Sequence, residues 1–148
     1  QEEGCGKCTP CRIGTRKMLD ILTKICAGQG EPSDIDELVE LCSIIRDNSL
    51  CGLGQGAPNP VASTLKYFRK EYEEHIYQKR CPAKVCRALI TYQINKDICT
   101  GCTTCRRNCP VGAITGEPKK AHILDPEICI RCGICHKVCR FGAIEITS

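Results

Sequence analysis

Two stretches near the C-terminus share one cysteine spacing, and this spacing constrains the fold more than any other feature of the sequence. CTGCTTCRRNC runs from Cys99 to Cys109, and CIRCGICHKVC runs from Cys129 to Cys139, each with the pattern C-x-x-C-x-x-C-x-x-x-C. Three thiolates this close together can hold three corners of one iron–sulfur cube. Zinc ribbons use paired rather than triple cysteines, so the spacing favours [4Fe–4S] clusters over zinc.

The repeat extends beyond the cysteines, because Ile98 matches Ile128 and residues 112–114 match residues 142–144, both Gly-Ala-Ile. The pattern resembles that of bacterial two-cluster ferredoxins, in which the fourth cysteine of each run binds the other cluster. This resemblance implies two ligand sets. They are Cys99, Cys102, Cys105 and Cys139 for one [4Fe–4S] cluster, and Cys129, Cys132, Cys135 and Cys109 for the other.

Cysteine usage also indicates the compartment and the size of the core. Sixteen cysteines, clustered at two-residue gaps, indicate metal binding in a reducing compartment rather than disulfides. We expect a cytoplasmic protein without a membrane span, because the sequence shows no signal peptide and no apolar run of bilayer length. With four Tyr, two Phe and no Trp, the organic core is modest. Bound clusters should replace part of it, so the C-terminal half should be largely unfolded without iron.

Charge is distributed unevenly along the chain. Residues 1–75 carry nine Lys/Arg and twelve Asp/Glu, whereas residues 76–148 carry twelve and five. A basic half is a feature of nucleic-acid-binding proteins. However, each oxidised [4Fe–4S] cluster with four thiolates carries about −2, so two clusters offset about four of these positive charges. Tyr92 and Phe141 are the only aromatic residues of the cluster region, too few for stacking on bases. We predict no nucleic-acid partner, and a non-redox zinc module that binds nucleic acid remains the remote alternative.

A different cysteine run opens the chain. GCGKCTPCR, from Gly4 to Arg12, again places three cysteines two residues apart, but no fourth follows at three residues. The cysteines that remain as candidates for the fourth ligand are Cys26, Cys42 and Cys51.

Helical periodicity separates these candidates. Cys26 and Cys42 fall in the apolar stripes of two predicted helices, where a cysteine usually serves as a small core residue. Cys51 lies in NSLCGLGQGAPNP, a stretch rich in Gly and Pro that predicts a loop. A loop cysteine flanked by glycine can approach a cluster closely. We therefore predict a third [4Fe–4S] cluster, and its ligands are Cys5, Cys8, Cys11 and Cys51.

Three helices are predicted before residue 78. The first covers residues 14–27, and the second begins at Ser33 with Asp36 in a capping-box-like position. The third begins with Asn59 as N-cap and Pro60 in the first turn. The predicted apolar stripes are Met18, Leu19, Leu22, Ile25 and Cys26; then Ile35, Leu38, Leu41, Cys42 and Ile45; and finally Val61, Leu65, Phe68, Tyr72 and Ile76.

Two cysteines remain, in RCPAKVC from Arg80 to Cys86, with His75 shortly before them. His75, Cys81 and Cys86 supply three ligands of the type that a structural Zn²⁺ site uses, and we expect zinc here. The fourth ligand stays open between Cys26, Cys42, a residue further upstream and water. The alternatives are a disulfide, which a reducing compartment disfavours, or two unused thiols beside a surface histidine.

The predicted fold class is α + (α+β). Residues 1–75 form a small helical bundle carrying one [4Fe–4S] cluster, residues 76–90 form a hinge with the zinc site, and residues 91–148 form a two-[4Fe–4S] ferredoxin domain. Strands are predicted within residues 88–95, 113–116, 121–124 and 143–147, and short helices after Cys105 and Cys135. His122 and His136 are expected to be ordinary half-buried or surface residues.

Three segments of the first half carry a resemblance to a known family. GCGKCTPCR, SLCGLG and PNPVASTLKYFRKEYEEHI, within residues 1–78, resemble the C-terminal cluster domain of the flavin-bearing subunit of NADH dehydrogenases and NAD-linked hydrogenases. With the ferredoxin part added, the whole chain resembles the C-terminal region of the beta subunit of electron-bifurcating, NAD-dependent [FeFe]-hydrogenases. In that family the cluster of the helical domain takes electrons from an FMN held by the preceding domain.

The resemblance implies an electron relay between a flavin/NAD(H) site and either ferredoxin or a hydrogenase catalytic subunit. The same relay in an NAD-linked formate dehydrogenase or an NADH dehydrogenase complex is the alternative. The chain shows no G-x-G-x-x-G or P-loop motif, so FMN and NAD(H) are expected only upstream or elsewhere in the complex. We expect no catalytic residue of its own, and the implied partners are other subunits of such a complex and soluble ferredoxin.

Overall fold

Five helices and a π-helical turn form residues 1–82, the first of two units in the computed structural model, which describes residues 1–148. Helix α1 packs mainly against α2, and α2 in turn packs against α3 and α4. The elements are α1 (Thr9–Cys26), α2 (Ser33–Asn48), α3 (Gly52–Gly56), α4 (Asn59–Tyr67), α5 (Arg69–Glu73) and the π-helical turn (Glu74–Gln78).

The core of this unit lies between α1 and α2. Leu38 and Ile45 of α2 are fully buried, and they pack with Met18, Ile21 and Ile25 of α1. The prediction of a buried Leu19 and a buried Cys26 is wrong, since Leu19 is 47% exposed and Cys26 is also exposed. Ile21, which was not predicted, is buried instead, because the face that contacts α2 repeats at 18, 21 and 25.

The start of α2 differs from the predicted capping box. Ser33 makes no side-chain cap, and the carboxylate of Asp34 bonds to this turn instead. Asp34 is 4% exposed, accepts a hydrogen bond of 2.7 Å from the backbone N–H of Glu31, and accepts another of 3.1 Å from Lys24 Nζ. The carboxylate thus ties the last turn of α1 to the first turn of α2, and it raises the pKa of Lys24.

The predicted third helix is not continuous. It is interrupted at Phe68, whose φ of −127° and ψ of 27° lie outside the helical region, and this side chain is 55% exposed. The Thr64 hydroxyl and the Tyr72 hydroxyl, 2.8 Å apart, form a hydrogen bond across the interruption. Because the chain changes direction there, Leu65 and Ile76 reach the core while Phe68 does not.

Residues 83–148 form the second unit, with two small antiparallel sheets and two short helices. Strand β1 pairs with β4, with Thr91 opposite Thr147, and β2 pairs with β3, with Ile114 opposite Leu124. Each strand lies inside a segment predicted to be extended. The elements are a 3₁₀ turn (Arg87–Leu89), β1 (Thr91–Ile94), α6 (Thr104–Arg107), β2 (Ile114–Thr115), β3 (Ile123–Leu124), α7 (Ile134–Val138) and β4 (Ile144–Thr147).

The sequence repeat is also a repeat of backbone conformation. Residues thirty positions apart share the left-handed region, although glycine occupies only some of these places. Positive φ therefore belongs to the cysteine loop itself and not only to its glycines. The equivalent pairs are Gly101 (69°) and Arg131 (56°), Thr103 (65°) and Gly133 (76°), and Gly112 (67°) and Gly142 (66°).

None of the helices combines the length and the apolar character that crossing a membrane would need.

Gly101 and Gly112 have nearly the same positive φ but different surroundings. Substituting each by alanine therefore separates the cost of backbone strain from the cost of a steric clash. A Cβ at Gly101 would lie 2.5 Å from the backbone N and O of Lys120, whereas a Cβ at Gly112 meets nothing within 4 Å. Gly112→Ala should lower the free energy of unfolding by about 1–2 kcal/mol through left-handed strain alone. Gly101→Ala should cost clearly more, because the Lys120 backbone must also move. Guanidinium unfolding of the anaerobically purified chain measures both, and equal losses would contradict this account.

Candidate metal centres

Four thiols converge at the start of α1. Cys8 is the N-cap residue of α1, Cys11 lies in its first turn, and Cys51 is the N-cap residue of α3. Burial raises the pKa of the Cys11 thiol, and the thiols of Cys8, Cys51 and Cys5 raise it further because their negative charges lie nearby. The structure therefore brings together the four cysteines that the sequence predicted for the N-terminal site.

The segment before α3 holds Cys51 in this position. The backbone N–H of Leu50 lies against the Cys8 sulfur and is the main cause of the lowered pKa of that thiol. The backbone of α3 at Gly54 lies close to Ser49 and to Cys11 of α1. A Cβ at Gly54 would lie 2.7 Å from Ser49 Cβ and 3.3 Å from Cys11 Cβ. Cys51 lies in a loop, as predicted, and the short helix α3, which was not predicted, begins at the next residue.

A second set of thiols surrounds Cys105 of α6. Burial raises the pKa of Cys105, a backbone hydrogen bond at Arg106 opposes this, and the thiols of Cys99, Cys102 and Cys139 raise it further. These are the four residues that the ferredoxin resemblance implies for one cluster, with Cys139 contributed by the other half of the repeat. Cys102 is exposed, whereas Cys105 is buried.

The third set lines a small cavity. Its four cysteines come from both halves of the repeat, and burial raises the pKa of the Cys135 thiol to about 11. Apolar side chains surround the thiols, among them Val111, Ile130 and Ile134. The thiols that line this cavity are Cys109, Cys129, Cys132 and Cys135.

Backbone amides near the sulfurs are contributors that the sequence analysis missed. The N–H of Ala113 donates to Cys109 Sγ at 3.3 Å, and the N–H of Arg131 donates to Cys129 Sγ at 3.4 Å. At Cys102, the backbone and the hydroxyl of Thr104 lower the pKa. These donors are hard to predict from the sequence, because every residue type except proline carries the same backbone N–H. The only sequence signal for them is the presence of glycines, which favour the positive φ values found in the cysteine loops.

The chemistry of these sites fits an iron–sulfur cluster. Thiolates held this close together repel one another, and this repulsion adds to burial in raising the pKa values of Cys11, Cys105 and Cys135 in the protein chain by itself. A bound cationic iron centre removes this repulsion and keeps the thiols deprotonated. Each set also contains a buried or half-buried sulfur, and apolar surroundings exclude water from the third set.

A further set lies in residues 75–86. One nitrogen of His75 and the sulfurs of Cys81 and Cys86 all lie within 4.8 Å of one another. Cys81 is 1% exposed and His75 is 9% exposed, so the histidine is not a plain surface residue. His75 Nδ1 donates to the backbone carbonyl of Glu71 at 2.7 Å. A histidine held in this way binds a metal through Nε2, with the carbonyl fixing the tautomer and the ring orientation.

The two other histidines are not part of any thiol set. His136 is exposed on α7, as predicted, and its ring lies 6.3 Å from the ring of Tyr92. His122 was expected to be half-buried, but it is 1% exposed, and neither of its ring nitrogens has a hydrogen-bond partner.

Comparison with known proteins identifies both parts of the chain. The family described as the NADH-ubiquinone oxidoreductase-F iron-sulfur binding region matches residues 1–75, and the 4Fe-4S dicluster domain matches residues 98–144. The chain is 52% identical to the NADP-reducing hydrogenase subunit HndC of Solidesulfovibrio fructosivorans, over 82% of this chain and 25% of that protein.

Other relatives match about half of the chain. The chain is 52% identical to an NADH-quinone oxidoreductase subunit of Streptomyces coelicolor, over 54% of this chain and 18% of that protein. It is 47% identical to the NADP(+)-dependent formate dehydrogenase subunit beta of Moorella thermoacetica, over 46% of this chain and 10% of that protein. The chain thus spans a quarter or less of the length of these relatives.

These matches confirm the resemblance to flavin-bearing dehydrogenase and hydrogenase subunits that the sequence analysis stated. The chain belongs to the family of the NADH-ubiquinone oxidoreductase-F iron-sulfur binding region, continued by a 4Fe-4S dicluster domain, and is an iron–sulfur electron-transfer region.

Proposed function

We propose that this chain carries three [4Fe–4S] clusters and relays electrons within a larger, NAD(H)-linked, flavin-dependent oxidoreductase. The observation that supports the proposal is the convergence of twelve thiols into three sets of four, each with three closely spaced cysteines and one distant cysteine. The ligands of the first cluster are Cys5, Cys8, Cys11 and Cys51. Those of the second and third are Cys99, Cys102, Cys105 and Cys139, and Cys129, Cys132, Cys135 and Cys109.

When bound, each cluster would accept and donate one electron with little structural change. The chain supplies the surroundings of the cluster. The backbone N–H groups at Ala113 and Arg131 donate to sulfur and stabilise the more negative, reduced state. Val111, Ile130 and Ile134 exclude water from the third set. The residues of the chain therefore position the clusters and tune their potentials, while the catalytic chemistry belongs to other parts of the complex.

The relatives indicate the kind of complex. A hydrogenase subunit is similar over 82% of this chain, whereas the NADH dehydrogenase and formate dehydrogenase subunits are similar over about half of it. This supports a hydrogenase-type complex, which we propose to be electron-bifurcating, with the formate or NADH dehydrogenase relay as the alternative. FMN and NAD(H) would bind outside these residues, and other subunits and soluble ferredoxin would be the partners. Clustered thiols of this kind also favour the cytoplasm.

Metal and sulfide analysis of the anaerobically purified chain tests the cluster count. Three clusters require about twelve iron and twelve sulfide per chain. Cys51→Ser should lower the iron content to about eight by removing the fourth ligand of the first cluster, with loss of one signal from the EPR spectrum of the reduced protein.

Cys42→Ser is the matched control, because Cys42 is buried in α2 and its thiol contacts the Pro58 carbonyl at 3.8 Å. It should keep about twelve iron. Equal iron in the Cys51→Ser variant and the wild type would overturn the assignment of the first cluster. Zinc without iron in the wild type would overturn the relay and favour the nucleic-acid-binding alternative.

The close approach at Gly54 gives an independent test of the first site. Gly54→Ala places a methyl group against Ser49 and Cys11, so it should displace the Cys51 segment and weaken the first cluster. Gly52→Ala lies in the same short helix, next to Cys51, and its Cβ meets nothing within 4 Å. Chelator-driven iron release at fixed temperature should be at least about tenfold faster for Gly54→Ala, because about 1.4 kcal/mol of strain gives that factor. Equal rates of iron release for the two variants would contradict the close contact at Gly54.

We further propose that His75, Cys81 and Cys86 hold a structural Zn²⁺. Cys81 and Cys86 lie in the predicted hinge, residues 76–90, and His75 directly precedes it. Tetrahedral zinc with these ligands has Zn–S distances of about 2.3 Å and Zn–N distances of about 2.0 Å, which requires ligand atoms within about 4 Å of one another. The observed spread of 4.8 Å needs only a small closure. The π-helical turn that carries His75 is a feature often found at functional sites.

Of the candidates for the fourth zinc ligand, the structure favours Cys26. Cys26 is exposed and lines the same groove as His75, together with Glu71 and Tyr72. Cys42 is buried and directed at the Pro58 carbonyl.

Zinc content therefore separates the cysteines. The wild type should hold about one zinc per chain, Cys81→Ser should lose it, and Cys26→Ser should lower zinc affinity while Cys42→Ser leaves it unchanged. Inductively coupled plasma mass spectrometry after passage over a chelating resin measures this. Retention of zinc in Cys81→Ser, with the iron content unchanged, would exclude the site.

A further inference from the structure

The two halves of the dicluster domain differ in what surrounds their thiols, although their backbones repeat. Around the third set, the equivalent positions hold mostly apolar residues, several of which enclose the sulfurs in a cavity. Around the second set, most of the same positions hold polar or basic residues. The pairs, second set first, are Thr100 and Ile130, Thr104 and Ile134, Arg140 and Pro110, Phe141 and Val111, Arg106 and His136, and Arg107 and Lys137.

The second set is also the more accessible one. Cys102 is exposed, whereas its counterpart Cys132 is only partly exposed and lines the enclosed cavity. The guanidinium group of Arg107 lies near the Cys102 thiol. Arg140 follows Cys139 directly and is exposed. Arg107 therefore lies near the one exposed cysteine of this domain, and Arg140 directly follows Cys139, a cysteine of the same set.

Few of these cations pair with acidic side chains of the chain, and two bound clusters would offset about four of the positive charges. Residues 83–148 carry ten Lys/Arg and five Asp/Glu, and Lys120 is the only one of the ten in an ion pair. Arg106 is held by a hydrogen bond of 2.8 Å to the Gly116 carbonyl, and Arg131, beside the third set, is held by the Ala88 carbonyl at 3.3 Å. Arg107 and Arg140 make no such bond, so their guanidinium groups are available to a partner.

An apolar contact completes the surface. Phe141, directly after Arg140, is 50% exposed, and it stands where the other half of the repeat has the smaller Val111. An exposed aromatic residue next to an unpaired arginine is typical of a protein–protein contact, since aromatic residues and Arg are enriched there. Nucleic acid would require several stacking residues, and Phe141 is the only exposed Phe, Tyr or Trp of residues 83–148.

We propose that Arg107, Arg140 and Phe141, around the exposed Cys102, form a docking surface for a small acidic electron-carrier protein. The proposal deepens the proposed function and rests on it, because it places the partner over the cluster held by Cys99, Cys102, Cys105 and Cys139. The repeat equivalents around the third set lack this combination. The partner's acidic residues would pair with the two arginines, and Phe141 would pack against an apolar spot beside them.

The test measures binding, with a plant-type [2Fe–2S] ferredoxin as the acidic probe and the anaerobically purified, cluster-containing chain. The dissociation constant is determined by isothermal titration calorimetry between low and physiological salt. For the wild type, affinity should fall steeply with salt. Arg107→Glu combined with Arg140→Glu should weaken binding at low salt by at least about tenfold and remove most of the salt dependence. Phe141→Ala should weaken binding about threefold or more without changing the salt dependence.

Matched controls come from the repeat. The control combines Lys137→Glu, at the position equivalent to Arg107, with Lys96→Glu. It therefore changes the net charge by the same amount as Arg107→Glu combined with Arg140→Glu. This control should weaken binding less than about threefold, because only the general field of the domain changes. An equal loss in both double variants would overturn a localised docking surface.

Two further outcomes would also overturn the proposal. One is a double variant that loses affinity for a single-stranded oligonucleotide, or for vesicles containing phosphatidylserine, while keeping its affinity for the ferredoxin. The other is wild-type binding of the ferredoxin without salt dependence. Iron and sulfide contents measured on the same samples keep the two proposals apart. Low iron would count against the cluster assignment, whereas full iron with unaltered binding would count against the docking surface alone.

Discussion

Convergence of thiols from separate segments onto common points is the constraint on which both units of this protein depend. Cys51 must reach Cys5, Cys8 and Cys11, and Cys109 and Cys139 must each cross to the other half of the repeat. Most of the helices and strands between these residues are short, because their role is to set the path of the chain between ligands. Bringing thiolates together costs electrostatic free energy, which a bound iron centre more than offsets.

The two units meet this constraint differently. In residues 1–82 the long helices α1 and α2 bury an aliphatic core around Leu38 and Ile45, and the thiols lie at one end of it. In residues 83–148 the core contains Ile114 and Ile144 together with Cys105 and Cys135, so the sulfurs are part of the core. The second unit should therefore depend on its clusters for stability more than the first.

The two cysteine loops of residues 83–148 share a backbone conformation but differ in their side chains. The left-handed φ values recur at the same places in both cysteine loops, yet Arg131 stands where the other loop has Gly101. A shared backbone with different side chains yields two sites of different polarity, and polarity and hydrogen bonds to sulfur are among the factors that set cluster potential. The buried His122, with no partner for its ring nitrogens, occupies the place equivalent to Tyr92 and adds to this difference.

Cysteine spacing and hydrophobic periodicity were enough to predict the cysteine groupings, the helical and extended segments and the family, because both are local signals that do not depend on tertiary contacts. The sequence analysis wrongly placed Leu19 and Cys26 in the core, continued a helix through Phe68 and missed the short helix α3 that follows Cys51. These features depend on tertiary contacts, since the face of α1 that is buried is the face against which α2 packs. The same is true of the hydrogen bond from His75 to the Glu71 carbonyl, because the backbone carbonyl is an atom that every residue shares. It is also true of the exposure of Cys102, because exposure depends on neighbours that are distant in the sequence.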